Sequence, residues 1–496
     1  GSSQSCPTGM LFGGVTRCPS LGIASLSRSP HLSCRRLPPL AAGAAPSRRG
    51  MAGEGVDYDS FFSLRARTLP ENPFVHLLPL MRDPQTKVLC QGVPPEVTFP
   101  LQQLSVSLTD GTRLDLSPED VRLAQRYAPF AWGPLRDWLL QHLRELHAPP
   151  CADWDVTVAA GSMSSVDIVL AELVDRGDCI LVEEYSFMAS LDAFRSYGAE
   201  IVPVAVDGDG LRPDALEEAC KRLEAEGRRA KLLYVIPVGQ NPTGSVLARE
   251  RYEKVYSLAR RFGFLIVEDD AYFYQQHALR DGEVPNSGGT GGDDAAPAAD
   301  RTGELPGLRL GRTFLSLDVD GRVMRLDSFS KFLAPGFRLG WVSGARPLVG
   351  KYNALAYASS QNGCSLSMML VGRMLEAWGK EGLEAHLCKL QSLMRERCSA
   401  LVAAAEQHLG NGSATWERPR ASMFLWVKLQ HAPSDHTKLL ELMKAHGVAV
   451  LPGSFCRAAV GPDLEPCPYV RLSFVLGEEH YPEAMDRFAG VLRGLA

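Results

Sequence analysis

Residues 327–341 read DSFSKFLAPGFRLGW and connect two apolar segments of strand length, Val323–Leu326 and Leu339–Val342. This stretch contains one lysine, Lys331, which has small hydroxyl and apolar residues as neighbours. Most lysines are solvated surface residues, but in such surroundings desolvation and nearby cations can lower the pKa of the amine. We therefore predict that Lys331 is a reactive amine at the end of a buried strand.

The same stretch carries groups that suit a phosphate. Ser328 and Ser330 supply hydroxyls, and Arg338 supplies a guanidinium that can form charge-assisted hydrogen bonds with phosphate oxygens. The alternative is that the serines are ordinary loop residues and that Arg338 is a surface ion-pair partner. Their spacing around Lys331 favours a site that holds both a phosphate and an amine.

From about Asp115 onward, helical patterns alternate with short apolar segments. Buried strands separated by helix-sized segments predict an α/β fold, with a mostly parallel sheet covered on both faces. In such sheets ligands bind at the carboxyl ends of the strands. The predicted strands are Trp154–Val158, Cys179–Val182, Ile201–Val206, Lys231–Ile236, Phe264–Val267, Val323–Leu326 and Leu339–Val342.

Changes in pattern predict how the chain divides into domains. The Pro-rich sequence after Met51 cannot hold a long helix and predicts an extended N-terminal arm. Helical Arg373–Leu409, followed by strand-like Met423–Leu429 and Tyr469–Phe474, predicts a smaller C-terminal α+β domain. The predicted divisions are a leader over 1–50, an arm with part of the small domain over 51–110, a large domain over 111–373 and the small domain over 374–496. Within the large domain, a Gly-, Ala-, Asp- and Pro-rich stretch over about 280–307 predicts a disordered insertion.

The first fifty residues differ in composition from the rest of the chain. Residues 1–50 contain no Asp, Glu or Lys, but six Arg are spread among many serines. This composition is typical of an organelle transit peptide and predicts a mitochondrial or other organelle matrix location. The alternative is that Met51 starts a complete protein and that the leader is translated upstream sequence or an artificial extension. A cytoplasmic location would then follow.

Composition and charge argue against several classes of protein. With 45% hydrophobic and 22% charged residues, the chain is typical of a soluble globular protein. Its net charge of −5 gives no general attraction to nucleic acid or to an anionic membrane, and we expect neither as a partner. No apolar run approaches the length of a membrane-spanning helix. The 12 cysteines include no CxxC pair, so we predict neither a metal site nor a disulfide framework.

Three further polar segments directly follow predicted strands. Residues 240–244 read QNPTG, which on its own indicates only a turn. Residues 266–272 read IVEDDAY, and a solvated strand end is one explanation of that acidic pair. Residues 158–165 read VAAGSMSS and pass into a helical pattern, so free backbone N–H groups and a helix dipole are available to a phosphate. Each signal is weak by itself.

Residues 328–341 follow the pattern SxSKxxxPGxRxGW, which resembles the lysine motif of the fold-type-I aminotransferases of class I and II that depend on pyridoxal 5′-phosphate. The resemblance implies a mostly parallel seven-stranded sheet with helices on both faces, together with a smaller α+β C-terminal domain. It also implies that Lys331 binds the cofactor covalently, and that the enzyme moves an amino group from an L-amino acid to a 2-oxo acid. In that family the lysine, once displaced, is the base that takes the α-proton of the substrate.

The resemblance also assigns roles around the cofactor ring. Asp269 is the carboxylate that pairs with the pyridine nitrogen and keeps the ring protonated, which makes the ring an electron sink. Asp270 is the alternative in a shifted register. Asn241 and Tyr272 are the residues that bond to the ring oxygen. Asp269, Tyr272 and Lys331 are thus the predicted catalytic residues.

Other roles implied by the resemblance concern the phosphate and the face of the ring. Phe187 covers the ring face, with Tyr185 as the alternative. Tyr127 reaches across a dimer interface toward the phosphate in the neighbouring subunit, which implies a homodimer with shared active sites. The predicted phosphate contacts within the chain are Gly161, Ser162, Met163, Ser328, Ser330 and Arg338, of which Met163 contributes its backbone amide.

Within this family, the chain resembles the kynurenine/α-aminoadipate aminotransferase group over nearly all of Met51–Ala496. Residues 313–323, reading TFLSLDVDGRV, and residues 422–426, reading SMFLW, carry that resemblance. It implies that Arg471 grips the substrate α-carboxylate by a bidentate pair, assisted by Asn241. Without the resemblance, an arginine between apolar neighbours also fits a strand position that points to solvent.

Two positions in the N-terminal arm, Gly92 and Val75, are predicted substrate contacts. When the chain is aligned with the group, the group's arginine that recognises the substrate falls on Val75. A partner for a carboxylate on the substrate side chain is therefore lost. Aromatic or other apolar donors such as kynurenine, tyrosine or leucine are therefore favoured over aminoadipate, although His76 can partly compensate. 2-Oxoglutarate is the expected acceptor, but no cation for its distal carboxylate is identified.

Other functions occur on the same fold. One alternative is a carbon–sulfur lyase or an enzyme similar to aminocyclopropane-carboxylate synthase, which keeps the cofactor and changes the reaction. A more remote one is a regulator that joins this fold to a winged-helix DNA-binding domain, but residues 1–50 are too short and too Pro-rich for such a domain. A catalytically inactive relative is disfavoured because the cofactor-binding residues are all present.

Overall fold

The computed structural model describes residues 56–90, 92–127, 133–277, 304–305, 308–361, 363–410, 412–431, 433, 435–461 and 464–495. The predicted leader over 1–50 lies outside these residues, as does almost all of the insertion predicted over 280–307. At the end of that insertion, Glu304–Leu305 pairs antiparallel with Leu308–Arg309.

The helices and strands are numbered in chain order. The helices are α1 (Leu64–Thr68), α2 (Phe74–Arg82), α3 (Pro118–Ala124), α4 (Gly133–Leu146), α5 (Ser162–Leu173), α6 (Met188–Ser196), α7 (Pro213–Ala225), α8 (Arg249–Phe262), α9 (Arg346–Ser359), α10 (Ser365–Leu409), α11 (His436–His446) and α12 (Tyr481–Leu495). The strands are β1 (Ser105–Ser107), β2 (Arg113–Asp115), β3 (Trp154–Ala159), β4 (Cys179–Glu183), β5 (Glu200–Val204), β6 (Val206–Asp207), β7 (Gly210–Leu211), β8 (Ala230–Val235), β9 (Leu265–Asp269), β10 (Glu304–Leu305), β11 (Leu308–Arg309), β12 (Val323–Ser328), β13 (Gly340–Ala345), β14 (Ala414–Trp416), β15 (Phe424–Leu429), β16 (Leu451–Pro452) and β17 (Tyr469–Ser473).

Local sequence signals explain several of these boundaries. The Ser117 hydroxyl caps α3 by accepting from the amide of Asp120, and Pro118 occupies the first helical position, where its missing N–H costs nothing. Helix α8 ends at Gly263, whose φ of 72° is the left-handed conformation of a helix C-cap. The long α10 is interrupted at Gly379, where φ is 58° and ψ is −162°. It therefore consists of two helical parts.

The central sheet has seven strands in the order β3-β13-β12-β9-β8-β4-β5. Strands β12, β9, β8, β4 and β5 pair in parallel, and β13 is antiparallel to its neighbours β12 and β3. All seven strands predicted from apolar segments belong to this sheet, which confirms the mostly parallel α/β fold. Strand β9 is longer than predicted, so that Asp269 is its last residue.

Helices cover both faces of the central sheet. Helices α5, α6 and α9 pack on one face, around buried side chains such as Val169, Phe194 and Tyr352. Helices α4, α7, α8 and the first part of α10 pack on the other face, with Leu139 and Tyr252 in its core. Two apolar layers therefore enclose the strands, as expected for a parallel sheet.

A second, smaller sheet is formed by the C-terminal part of the chain. Its four strands have the order β14-β15-β17-β16, and every neighbouring pair is antiparallel. The second part of α10 packs on it together with α11 and α12, around Leu425, Val470 and Phe488. This confirms the smaller α+β C-terminal unit predicted from the sequence.

The prediction that the N-terminal arm is extended is wrong over Phe74–Arg82, which forms α2 with Pro79 inside it. The helix tolerates this proline because it has only nine residues and ends three residues after Pro79, so few backbone hydrogen bonds are lost. The short α1 is capped by Ser63, whose hydroxyl accepts from the Ala66 amide at 3.0 Å. Across the described residues, no helix combines the length and the apolar character needed to span a bilayer.

A buried ionic cluster joins β9 to β12 at their carboxyl ends. Arg325 of β12 has no exposed surface; its Nη1 lies 2.8 Å from Asp270 Oδ2 and 3.3 Å from Glu268 Oε1. Its Nη2 lies 2.8 Å from Asp327 Oδ1. Burial raises the pKa of each of these carboxyl groups, and the guanidinium opposes that rise. The arginine therefore compensates charge that would otherwise be buried without a partner.

Replacing Arg325 with methionine should lower the free energy of unfolding of the cofactor-free protein by about 3–5 kcal/mol, because the carboxyl groups lose their buried counter-ion. The matched control is Arg113→Met, which breaks a pair with Asp115 whose side chains are 65% and 57% exposed. That change should lower the free energy of unfolding far less, because solvent screens an exposed ion pair. Urea denaturation followed by circular dichroism measures both, and equal effects would contradict the role given to Arg325.

Candidate active site

The residues predicted to carry chemistry meet at the carboxyl ends of three neighbouring strands of the central sheet. Asp269 ends β9, Lys331 lies in a 3-10 turn directly after β12, and Asn241 lies in the loop that follows β8. Parallel strands present their carboxyl ends at one edge, which is where α/β sheets bind ligands. The fold therefore gathers side chains that are far apart in sequence.

Asp269 has one carboxylate oxygen bound and one without a partner. Its Oδ2 accepts a hydrogen bond of 2.6 Å from the Tyr234 hydroxyl, whereas its buried Oδ1 has no hydrogen-bond partner among the described residues. Burial raises the pKa of Asp269 to about 6, against the effects of Tyr234, Arg325 and Lys331. A buried acceptor without a partner costs free energy. Oδ1 is therefore suited to an N–H donor of a bound molecule.

Asp270 points away from this site, toward Arg325 on the other face of the sheet. Successive side chains of a strand alternate between the two faces. Glu268 and Asp270 therefore share one face, and Asp269 occupies the other. The geometry favours Asp269 over the alternative register in which Asp270 holds the ring nitrogen.

Asn241 connects the central sheet to the small sheet. Its Oδ1 accepts a hydrogen bond of 2.6 Å from Nη1 of Arg471 on β17, and its Nδ2 donates to the Tyr272 hydroxyl oxygen at 3.4 Å. The Cζ of Arg471 lies 4.2 Å from the centroid of the Phe424 ring, and its Nε is buried without a hydrogen-bond partner among the described residues. Arg471 therefore retains donor capacity for a carboxylate.

Lys331 is half-buried between these groups. Its Nζ lies 5.6 Å from the centroid of the Tyr272 ring, and its carbonyl oxygen accepts a hydrogen bond of 2.6 Å from Gln275. Burial lowers the pKa of Lys331, with further lowering by Arg471 and Arg338, while Asp269 opposes the shift. This direction is the one predicted from the sequence. A larger fraction of neutral amine is available at a given pH.

The predicted phosphate groups surround the start of α5. Gly161 has a φ of 91°, and a Cβ added there would lie 2.7 Å from Arg338 Nη2, so this position requires glycine. Ser162 begins the helix and Met163 follows it, and no side chain caps the free N–H groups. The amides, the helix dipole and the guanidinium therefore surround one small space, which suits an anion.

Arg338 and the two serines form the other wall of this space. Arg338 Nη1 donates to Ser330 Oγ at 3.4 Å and to the Pro335 carbonyl at 3.1 Å. The Ser328 Oγ accepts from the Ser330 amide at 3.1 Å and so keeps its own proton free to donate. Their arrangement is compatible with the predicted phosphate contacts.

The structure distinguishes the two aromatic candidates for the ring face. Phe187 precedes α6, half-buried, and packs against the apolar cluster that contains Tyr272. Tyr185 instead packs edge-on against Trp426 and Tyr469, with ring centroids 5.4 Å away in each case. These three aromatic residues line a separate cavity of about 770 Å³. Phe187 is therefore the better candidate.

Three predicted site residues are not linked to these groups by any contact of the described residues. Tyr127 is 65% exposed. Gly92 lies in a loop where an added Cβ would meet no atom within 4 Å. Val75 lies in α2, and its side chain is outside the described part of the structure. Their predicted roles remain predictions.

Sequence reasoning missed two residues that support the site. Tyr234 binds Asp269, and its only sequence signal is a hydroxyl in an otherwise apolar strand. Glu183 ends β4 and accepts from Gln240 Nε2 and from the Ile236 amide, both at 3.1 Å, which holds the loop that presents Asn241. Burial raises the pKa of Glu183 to about 8. In the sequence, the only indication of a role for Glu183 is that a carboxyl residue ends an apolar strand.

The chain is similar to known proteins of one enzyme family. Residues 140–488 match the family model of aminotransferase class I and II. An aminotransferase from Metarhizium robertsii is 33% identical over 432 residues, covering 78% of this chain and 81% of the relative. The mitochondrial kynurenine/α-aminoadipate aminotransferase of Bos taurus is 32% identical over 412 residues, covering 80% of this chain and 88% of the relative.

Solved structures agree with the sequence comparisons. An aminotransferase from Candida albicans has a TM-score of 0.77 at 26% identity, over 89% of this chain and 99% of that one. A kynurenine aminotransferase from Pyrococcus horikoshii, solved with PMP and KYN, has a TM-score of 0.64 at 25% identity, over 88% of this chain and 98% of that one. The family match spans more than half of the chain, so the protein belongs to the class I and II aminotransferases, fold-type-I enzymes that use pyridoxal 5′-phosphate.

Proposed function

We propose that this aminotransferase takes its amino group from an L-amino acid with an aromatic or other apolar side chain, such as kynurenine, and that 2-oxoglutarate is the acceptor. The transfer of an amino group is supported by the position of Lys331 near Asp269 Oδ1 and Arg471 Nε, which have no hydrogen-bond partner among the described residues. One suits a ring N–H and the other a substrate carboxylate. The amine between them is in position to move a proton.

The residues present fit pyridoxal 5′-phosphate. Asp269 would hold the ring nitrogen, Asn241 and Tyr272 the ring oxygen, and Phe187 would cover the ring face. The phosphate would lie against the residues Gly161, Ser162, Met163, Ser328, Ser330 and Arg338. When bound, the cofactor supplies an electron-withdrawing ring that stabilises negative charge on the substrate Cα.

The protein side chains orient the substrate and move its proton. Arg471 binds the α-carboxylate by two parallel hydrogen bonds, and Asn241 fixes the guanidinium through the bond of 2.6 Å. With the carboxylate held, the Cα–H bond is presented to the Lys331 amine, which takes the proton as a general base. Its lowered pKa keeps more of it neutral at physiological pH.

The N-terminal arm supports the choice of donor. In the register that the resemblance implies, the neutral Val75 replaces an arginine that recognises the substrate, so a second carboxylate on the donor would lack a cation there. His76 is a poor replacement, because its Nε2 lies 3.4 Å from the Glu71 carboxylate and its side chain is 69% exposed. A Schizosaccharomyces pombe relative, 31% identical over 75% of this chain, is an aromatic amino acid aminotransferase.

A homodimer with shared active sites is also part of the proposal. The segment before α4 exposes several large apolar side chains, namely Leu80, Leu89, Val97, Leu101 and Tyr127. Val97 is 92% exposed and Leu89 is 96% exposed. Exposed apolar side chains of this density favour an interface. Tyr127 would then approach the phosphate of the neighbouring subunit.

The proposed location is the mitochondrial matrix. The leader over residues 1–50 is rich in arginine and serine and lacks acidic residues. The bovine relative is a mitochondrial enzyme. Both observations support targeting to that organelle.

The function is tested with the cofactor-loaded protein and L-kynurenine in the absence of any oxo-acid acceptor. The reaction should release one equivalent of 2-oxo acid per chain and then stop until 2-oxoglutarate is added. Lys331→Ala should slow it by about 10²–10⁴-fold, the usual contribution of a general acid or base. Lys254→Ala, at an exposed position of α8, should leave the rate unchanged. Continued release of ammonia without an acceptor would indicate a lyase instead.

Substitution of Arg471 tests carboxylate binding. Arg471→Gln should raise the KM for the amino donor by about 10–100-fold, because hydrogen bonds to a charged group are lost. Arg471→Lys should have a smaller effect, since it keeps the charge but loses the planar fork. The exposed Arg222→Gln is the control and should leave KM unchanged. A normal KM in both Arg471 variants would exclude this residue from substrate binding.

A panel of amino donors with 2-oxoglutarate tests the proposed specificity. The kcat/KM for kynurenine and tyrosine should exceed that for aminoadipate, because a second carboxylate would be desolvated without a cation. Val75→Arg should raise the value for aminoadipate, and His76→Ala should change it little. If aminoadipate is the best donor of the unmodified enzyme, the interpretation of Val75 is wrong.

A further inference from the structure

Tyr234 is a fully buried tyrosine with its hydroxyl next to the active site. It lies on β8, whose neighbour in the sheet is β9, and its side chain is on the same face as Asp269. The Tyr234 Oη is 2.6 Å from Asp269 Oδ2 and 3.0 Å from Ser190 Oγ of α6. The ring is 1% exposed and packs edge-on against Phe194 at 5.0 Å between centroids. The hydroxyl therefore has little freedom to choose other partners.

The direction of these hydrogen bonds follows from the groups involved. An ionised carboxylate can only accept, so Tyr234 donates to Asp269. The tyrosine has one proton, so at 3.0 Å its oxygen accepts from Ser190, whose Oγ also lies 3.7 Å from Met163 Sδ. The result is a chain of donors that runs from Ser190 through Tyr234 to Asp269 Oδ2. It leaves Oδ1 as the oxygen of Asp269 that has no hydrogen-bond partner among the described residues.

We propose that Tyr234, with Ser190 behind it, is a positioning residue that keeps Asp269 ionised and orients its Oδ1 toward the ring nitrogen of the cofactor. The inference rests on the cofactor contact given to Asp269 under the proposed function. It adds a residue that touches neither cofactor nor substrate and acts through the carboxylate. Its physical basis is that a hydrogen bond to the charged form of a buried group favours that form.

The surroundings of Asp269 show why such a donor matters. Asp269 is buried, and burial alone favours the neutral carboxylic acid. Tyr234 is the largest influence that opposes burial, ahead of Arg325 and Lys331. Lys331 lowers the pKa of Asp269 only while its amine is charged, whereas the tyrosine hydroxyl can donate throughout the physiological range, because burial raises its own pKa.

Other titratable groups lie on the elements packed around this carboxylate. Arg325 and Asp327 lie on β12, Glu183 lies on β4, and Tyr272 follows β9. A change of Tyr234 to phenylalanine removes a single oxygen atom and leaves each of these groups in the chain. A shift in the titration of the site therefore reports the lost hydroxyl.

The test measures the affinity of the cofactor-free protein for pyridoxal 5′-phosphate as a function of pH, by equilibrium dialysis. Asp269 must be ionised to accept from a protonated ring, so affinity should fall as pH drops through about 6. In Tyr234→Phe the fall should begin about one to two pH units higher, because one hydrogen bond to a charged group is lost. Titrations of the cofactor itself are common to all variants and cancel in the comparison.

The matched control is Tyr256→Phe. Tyr256 is also buried, and its hydroxyl donates to the Asp318 carboxylate at 3.0 Å, away from the site. That variant should lose thermal stability without moving the pH midpoint of cofactor binding. Ser190→Ala keeps the rings of Tyr234 and Phe194. It should move the pH midpoint of cofactor binding in the same direction as Tyr234→Phe, by a smaller amount.

The proposal would be overturned if the pH midpoint of cofactor binding did not shift in Tyr234→Phe or in Ser190→Ala. A variant that, like Tyr256→Phe, lost only thermal stability would have the same meaning. If Tyr234→Phe does not fold, the Ser190→Ala midpoint decides. The outcome is separable from the choice of donor, since binding of the cofactor is measured without any amino acid. If the unmodified protein bound the cofactor but transferred no amino group, the proposed function would be refuted. The pH dependence of cofactor affinity could still be measured, so the role of Tyr234 would still be tested.

Discussion

Three acidic residues in a row, Glu268, Asp269 and Asp270, lie at the end of β9 and directly after it. Their side chains point in alternating directions, and the active site depends on that alternation. The outer two meet Arg325 within the core on one face of the sheet. The middle one meets Tyr234 on the other face, at the edge where ligands bind. A buried charge needs a partner, and the pleat gives each group a different one. The ionic cluster around Arg325 joins the ends of β9 and β12. Asp269, on the other face, is held there although its Oδ1 has no hydrogen-bond partner among the described residues.

A second constraint is that the site is shared between two sheets. Arg471 comes from a strand of the small sheet, and it reaches Asn241 in a loop of the central one. Lys331 lies between them, in a turn that follows β12. Any change in how the small sheet packs against the central one therefore moves Arg471, the proposed carboxylate-binding group, relative to the Lys331 amine.

Much of this arrangement could be predicted from the amino-acid sequence. Every predicted strand of the central sheet was found, because buried parallel strands are continuous apolar runs. Lys331, Asp269 and Asn241 were predicted because each stands in a motif directly after such a run. Tyr234 was missed, since a tyrosine in an apolar strand carries no local signal of its partner. The helix over Phe74–Arg82 was missed because Pro79 argued against it.

The sequence by itself determined the order of strands and helices along the chain, the family, and the residue types that are proposed to hold the cofactor. These properties are encoded in local periodicity and short motifs. Only the tertiary structure favoured Asp269 over Asp270 and Phe187 over Tyr185 for the proposed roles. It alone joined Tyr234 to its carboxylate. The physical reason is that hydrogen bonds and buried charges depend on which face of a strand meets which neighbour, and that relation involves residues far apart in the chain.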